Sequence, residues 1–152
     1  MSRARLVSLD TGVIVELVDR AGALHRQASA IFAALARGAL RALVPPPVIA
    51  ETVYVAARVY EAAGAPDPLA RAEALARWLC SHPHVSVPRD LELDVEAGRV
   101  KKRYGLALTD CYVLASAKLY GSTAVFRRRE SEMRRAGELE REFRVLFLED
   151  YA

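Results

Sequence analysis

The chain has 152 residues, 53% hydrophobic and 27% charged, with 22 Lys and Arg against 19 Asp and Glu for a formal charge of +3. That length can bury one core without disulfide or metal staples, and high apolar content with small net charge excludes low-complexity disorder. No uncharged run approaches the ~18 residues of a membrane-spanning helix, the longest being Trp78 to Pro88, and +3 permits a nucleic-acid partner without requiring one.

In chain order, the basic start Met1-Ser2-Arg3-Ala4-Arg5 is followed by an apolar stretch that breaks at Asp10, so no signal peptide is expected. Leu6 to Leu9 reads as a strand and Thr11 to Val18 as a helix. Leu24, Ala28, Ile31, Phe32 and Leu35 recur at helical spacing and predict a second helix over 24–36, stopped by Gly38. Ala42 to Val44 is a second strand. It runs into Pro45-Pro46-Pro47, a rigid turn able to start the helix from Val48 to Glu61. Asp67-Pro68 looks like an N-cap and first-turn proline opening a helix to about Cys80. Val85 to Val87 is a third strand and Leu91 to Arg103 a helix with Gly105 beyond it. Thr109 is a good N-cap for a helix over Asp110 to Tyr120, closed by Gly121. Thr123 to Phe126 and Val145 to Leu148 are the last strands. Strands separated by helical segments indicate an α/β fold with a parallel sheet covered on both faces, and no composition break divides the chain into more than a single domain.

The eight glycines are scattered singly, which removes the Rossmann fingerprint and the P-loop. There is no G-x-S-x-G elbow and no H-E-x-x-H. Cys80-Ser81-His82-Pro83-His84 offers zinc-like ligands, but a structural zinc site takes four, usually from two segments. Cys111 and His25 stand apart, so the stretch reads as a helix end turning into a strand. Two cysteines are too few for a disulfide framework and suit a reducing cytoplasm.

Three acids lie where charge is costly. On a helix, Glu51 has Pro47, Val48, Tyr54 and Val55 as same-face neighbours, and Asp110 has Leu106, Ala107, Val113 and Leu114. Asp10 closes the first strand, and the carboxyl ends of strands are where open parallel sheets bind ligands. Each acid alone has an ordinary account: Asp10 capping its helix, Asp110 complementing a helix dipole, Glu51 pairing with an Arg. Together, converging carboxylates repel each other and lose hydration, a cost relieved by a shared proton or a divalent cation. Oxygen donors favour Mg²⁺ or Mn²⁺ over zinc, and such a site activates water for attack on a phosphoryl group. Nothing in the sequence alone brings the three together.

Leu9-Asp10-Thr11-Gly12-Val13-Ile14-Val15, Pro47-Val48-Ile49-Ala50-Glu51 and Leu108-Thr109-Asp110-Cys111-Tyr112-Val113-Leu114-Ala115-Ser116-Ala117 resemble, in order and separation, the three acidic motifs of PIN-domain nucleases, above all VapC-like toxins of toxin–antitoxin pairs. The resemblance covers nearly the whole chain. It implies a three-layer α/β/α sandwich with a central parallel sheet, and a Mg²⁺- or Mn²⁺-dependent endoribonuclease working as a cytoplasmic homodimer neutralised by a small antitoxin. By position, Asp10 and Asp110 would be the principal metal ligands. Glu51 would complete the acidic pocket, and Thr11 would hold a carboxylate or a water.

One departure stands out. The family usually follows the fourth strand with Thr or Ser and then another Asp, whereas here the chain reads Arg127-Arg128-Arg129-Glu130-Ser131-Glu132. After a small register change Glu130, or else Glu132, substitutes for the missing acid. Arg127, Arg128 and Arg129, with Lys101 in Lys101-Lys102-Arg103, become expected contacts to the RNA backbone; a solvated basic face is the alternative. The arginines at the place of an acid also raise a second function, a catalytically weakened PIN-like module that binds RNA or an antitoxin.

Overall fold

The computed structural model describes residues 4–133 and 136–152. Its elements run β1 (Arg5–Leu9), α1 (Thr11–Val18), α2 (His25–Ala36), β2 (Leu40–Leu43), α3 (Pro46–Ala62), α4 (Pro68–Ser81), β3 (Val85–Ser86), α5 (Leu91–Tyr104), α6 (Leu108–Tyr120), β4 (Thr123–Phe126), α7 (Ala136–Glu142) and β5 (Val145–Phe147). Short 3₁₀ turns lie at Ser131–Met133 and Leu148–Tyr151.

The strands form one parallel sheet in the order β3-β2-β1-β4-β5. Parallel strands buried on both faces read as continuous apolar runs rather than alternating ones. Val7-Ser8-Leu9 and Ala124-Val125-Phe126 are accordingly buried throughout. The one polar group in that run, Ser8, meets the Ser122 hydroxyl at 2.5 Å, so neither buried oxygen lacks a partner. Phe126 of β4 stacks on Phe147 of β5, ring centroids 5.9 Å apart. With helices packed on the sheet, this is the covered parallel sheet that the alternating pattern implies and the three-layer α/β/α sandwich that the motif resemblance implies.

The sheet order reverses direction between β1 and β4. At such a switch point the two following connections part to opposite sides and leave a crevice at the strands' carboxyl ends. Asp10 follows β1 there and Arg127 follows β4, and the Asp10 amide continues the ladder by donating to the Val125 carbonyl at 3.1 Å.

Two local expectations are corrected, and one element is added. Asp67 stands at the start of α4 but in the left-handed region, φ 49° and ψ 58°, and its side chain makes no capping bond. A residue before proline is pushed out of the right-handed helical region, and Asp tolerates the left-handed one; the Asp67 carbonyl, bonded by the Arg71 amide at 3.0 Å, opens the helix instead. Thr109 is not a cap: α6 starts two residues earlier than expected, at Leu108 after Ala107, so Thr109 lies inside the first turn with its hydroxyl free for another task. Finally, α7 is a helix the periodicity does not announce. It is short and charged, and it buries Leu139 alone among its described side chains, too little for a repeat to show.

Candidate active site

Asp10 is both cap and wall. It sits at the N-cap of α1 in extended backbone, and its Oδ2 accepts a hydrogen bond from the Gly12 amide at 3.3 Å. The capping account of this residue is therefore correct, and it fixes the carboxyl at the crevice. Gly12 lets the segment after β4 come close: a Cβ there would lie 3.0 Å from Arg127 Cβ and 3.4 Å from Asp10 Oδ2.

Glu51 comes from the middle of α3. It is half-buried rather than turned into the core, because Tyr54 on the expected apolar face is 61% exposed. No Arg pairs with it among the described residues. The Thr109 hydroxyl of α6 donates to its Oε2 at 3.1 Å instead. Asp110 follows one residue later on α6, half-buried, so one helical turn both orients Glu51 and supplies a second acid.

These groups share one cavity of about 320 Å³, lined by Asp10, Thr11, Glu51, Asp110, Arg127 and Glu130, with Glu132 and Gly12 among the other walls. The convergence that no sequence argument supplies is thus a property of the fold. Electrostatics records it. Burial first, then the charges of Asp10 and Glu51, pushes the Asp110 carboxyl up to about 8, with Glu130 adding to the rise. Burial raises Asp10 to about 6, against the stabilising Gly12 amide. The charge of Asp10 adds to the rise at Asp110, so the two carboxyls do not both ionise cheaply, a cost that a shared proton or a divalent cation would relieve.

The donor set suits a hard divalent cation. Every anionic group on the cavity is a carboxylate, and the buried Thr11 hydroxyl in its wall has no hydrogen-bond partner among the described residues. Among those residues no three His, Cys, Asp or Glu side chains are drawn tightly enough together to hold an ion as they stand. The acids surround a space, which waters on a weakly dehydrated ion such as Mg²⁺ would fill.

The basic residues divide. Arg127 lines the cavity, half-buried, its Nε buried and unpaired among the described residues. Arg128 is exposed beside it and is not part of the lining. Arg129 turns away and is held by Glu140, Glu149 and Asp150. Lys101, in the last turn of α5, donates to the Leu106 carbonyl at 2.6 Å and bridges the link into α6 rather than lining the cavity. The Cys80–His84 stretch is structural: His82 ends α4, and His84 Nδ1 bonds the Leu35 carbonyl at 2.7 Å.

Glu132 faces the cavity together with Glu130, so the two candidates for the missing acid are not exclusive. Thr109 is the site residue whose role the sequence obscures, since a Thr before an acid at a helix start reads first as a cap.

A family model described as the PIN domain matches residues 7–141. Among solved structures, the VapBC2 complex of Rickettsia felis bound to a DNA fragment from its promoter aligns with a TM-score of 0.61 at 12% identity, covering 93% of this chain and 96% of that one. A toxin–antitoxin complex from Klebsiella pneumoniae aligns at 0.59 and 15% identity, over 93% of this chain and 97% of that one. A protein from Pyrobaculum aerophilum aligns at 0.58 and 18% identity, over 98% and 93%. At these identities the likeness is one of fold. No curated protein matches the sequence.

Proposed function

The chain belongs to the PIN domain family, and from that premise we propose that it is a divalent-metal-dependent endoribonuclease, a single PIN-like domain acting as the toxin of a toxin–antitoxin pair. The observation that carries the reading is the meeting of Asp10, Glu51, Asp110 and Glu130 on one cavity beside Arg127. In this reading Asp10 and Asp110 hold a Mg²⁺ or Mn²⁺ ion and Glu51 and Glu130 complete its surroundings, directly or through water. A cation held there would supply a lowered water pKa and neutralisation of charge on the scissile phosphate.

The chain's own groups do the rest. Thr109 keeps Glu51 turned toward the cavity, and Thr11 offers an unpaired hydroxyl to a carboxylate or water. The Arg127 guanidinium, already at the wall, stabilises the charge that develops on the phosphoryl oxygens, while Arg128 meets the strand from outside. Arg129 and Lys101 spend their donors on the protein and are given no share in this contact. The weakened-module alternative arose from arginines standing where an acid is usual. Glu130 and Glu132 on the cavity wall supply that acid, which favours the enzyme.

The antitoxin partner is supported by two fold neighbours that are toxin–antitoxin assemblies. A homodimer in the cytoplasm is the companion expectation; no helix among the described residues is long and apolar enough to cross a membrane.

The test is cleavage of a single-stranded RNA with Mn²⁺, Mg²⁺ or EDTA by the parent, Asp10→Asn and Asp110→Asn. Cleavage should need the cation and fall about a hundredfold or more in either variant, with folding retained by circular dichroism. Salt-sensitive RNA binding without cleavage under any cation would instead establish the binding module.

A further inference from the structure

The β4–α7 connection brings Glu130 and Glu132 to the cavity, yet among the described residues neither carboxylate has a hydrogen-bond or ion-pair partner of its own. Their placement therefore depends on how the backbone on either side is fastened. On the far side Met133 is buried at 3% exposure, and its amide donates to the Glu130 carbonyl at 2.8 Å.

On the near side the fastening is Arg129. Its Nη1 and Nη2 donate to the two carboxylate oxygens of Asp150 at 2.7 and 2.9 Å, a fork-on-fork pair. Nη1 also reaches Glu149 Oε1 at 3.2 Å, and Nη2 lies 3.5 Å from Glu140 Oε1. The guanidinium carbon stands 4.1 Å from the centre of the Phe147 ring. The backbone is stitched to the same turn: the Arg129 amide donates to Glu149 Oε1 at 3.0 Å, and the Glu149 amide to the Arg127 carbonyl at 3.2 Å. Single exposed ion pairs contribute little, but a bidentate arginine in a network of several carboxylates is the recognised exception.

From this geometry we infer that Arg129 is a positioning residue: with Glu149 and Asp150 it forms a latch that ties the segment after β4 to the C-terminal turn and holds Glu130 and Glu132 over the acidic cavity. The inference rests on the reading of that cavity as a cation site. It also gives the third arginine of Arg127-Arg128-Arg129 a task other than holding phosphate.

The test is Mn²⁺ affinity by titration calorimetry on the full chain. The variants are Arg129→Ala, Arg129→Lys, Asp150→Asn, the pair Glu130→Gln with Glu132→Gln, and that pair carrying Arg129→Ala. Arg129→Ala and Asp150→Asn should each weaken Mn²⁺ binding several-fold, with Arg129→Lys intermediate because an ammonium cannot reproduce the fork. In the double-Gln background Arg129→Ala should change nothing further, an outcome that general destabilisation would not produce. Binding of an RNA oligonucleotide in EDTA should keep its salt dependence in Arg129→Ala.

Unchanged Mn²⁺ affinity in folded Arg129→Ala and Asp150→Asn overturns the latch, as does an equal loss in the double-Gln background. So does a salt slope that falls by about one, which would make Arg129 a phosphate contact. Should Arg129→Ala fail to fold, Asp150→Asn carries the comparison, since it keeps the guanidinium and its other partners. A parent chain that binds no Mn²⁺ overturns the cation reading beneath the latch, and is distinct from a parent that binds with all variants equal to it.

Discussion

Asp110 is a carboxyl that folding makes reluctant to ionise, and the sign of that effect can be measured. Its pKa rises from 3.8 to about 8, chiefly by burial and then by Asp10 and Glu51. Between those values the folded chain binds a proton that the unfolded chain has released, so stability is fully present below pH 4 and is lost as the pH rises toward 8. In EDTA the parent should therefore denature at lower urea at pH 8 than at pH 5, by on the order of a few kcal/mol. Asp110→Asn should be more stable than the parent at pH 8 and lose less stability over that range, the remaining slope coming from Asp10, itself raised to about 6 by burial; urea titrations at the two pH values decide it. At this scale the sequence is informative about Asp10, Glu51 and Asp110 because an acid among apolar neighbours needs a reason. It is uninformative about Thr109 and Arg129, whose partners, Glu51 and Asp150, lie on other elements and depend on tertiary contacts.

Helices and strands deliver these groups, and most were legible because their signals are local. Gly121 at the end of α6 and Gly105 after α5 adopt positive φ, as C-caps do, and the proline run opens α3, with Pro45 as its cap and Pro46 and Pro47 in its first turn. What was not legible is α7, whose place is secured by distant partners such as the Arg103–Glu142 pair at 2.8 Å. The junction of α1 with the segment after β4 yields a prediction at this scale. Gly12→Ala would favour the helix by about 1 kcal/mol, yet its methyl must push against Arg127 and Asp10. The melting temperature should move little while RNA cleavage falls about tenfold, since a displacement of a few tenths of an ångström at reacting groups is costly. Thermal melts beside a cleavage assay separate the two effects.

For the molecule as a whole, four carboxylates gather beyond the carboxyl ends of β1 and β4, so that on the proposed reading a bound cation and the fold would stabilise each other. Mn²⁺ at a hundred times its dissociation constant should add about 2.7 kcal/mol, a rise in melting temperature of roughly 5–10 °C for a chain of this size. The rise should be reversed by EDTA and absent in Asp110→Asn; differential scanning fluorimetry reads both. The sheet order adds a consequence in time. β1 is the central strand, and one of its two neighbours, β4, is made only after β2, β3 and the helices from α1 to α6: Ser8 pairs with Ala124. A chain emerging from the ribosome folds from its N-terminal end, and it can present Asp10 and Glu51 long before Asp110, Glu130 or the C-terminal turn exists. Half an acid cluster cannot cradle a cation, so on the proposed reading the cleavage site is assembled only after β4 and the segment that follows it have been made.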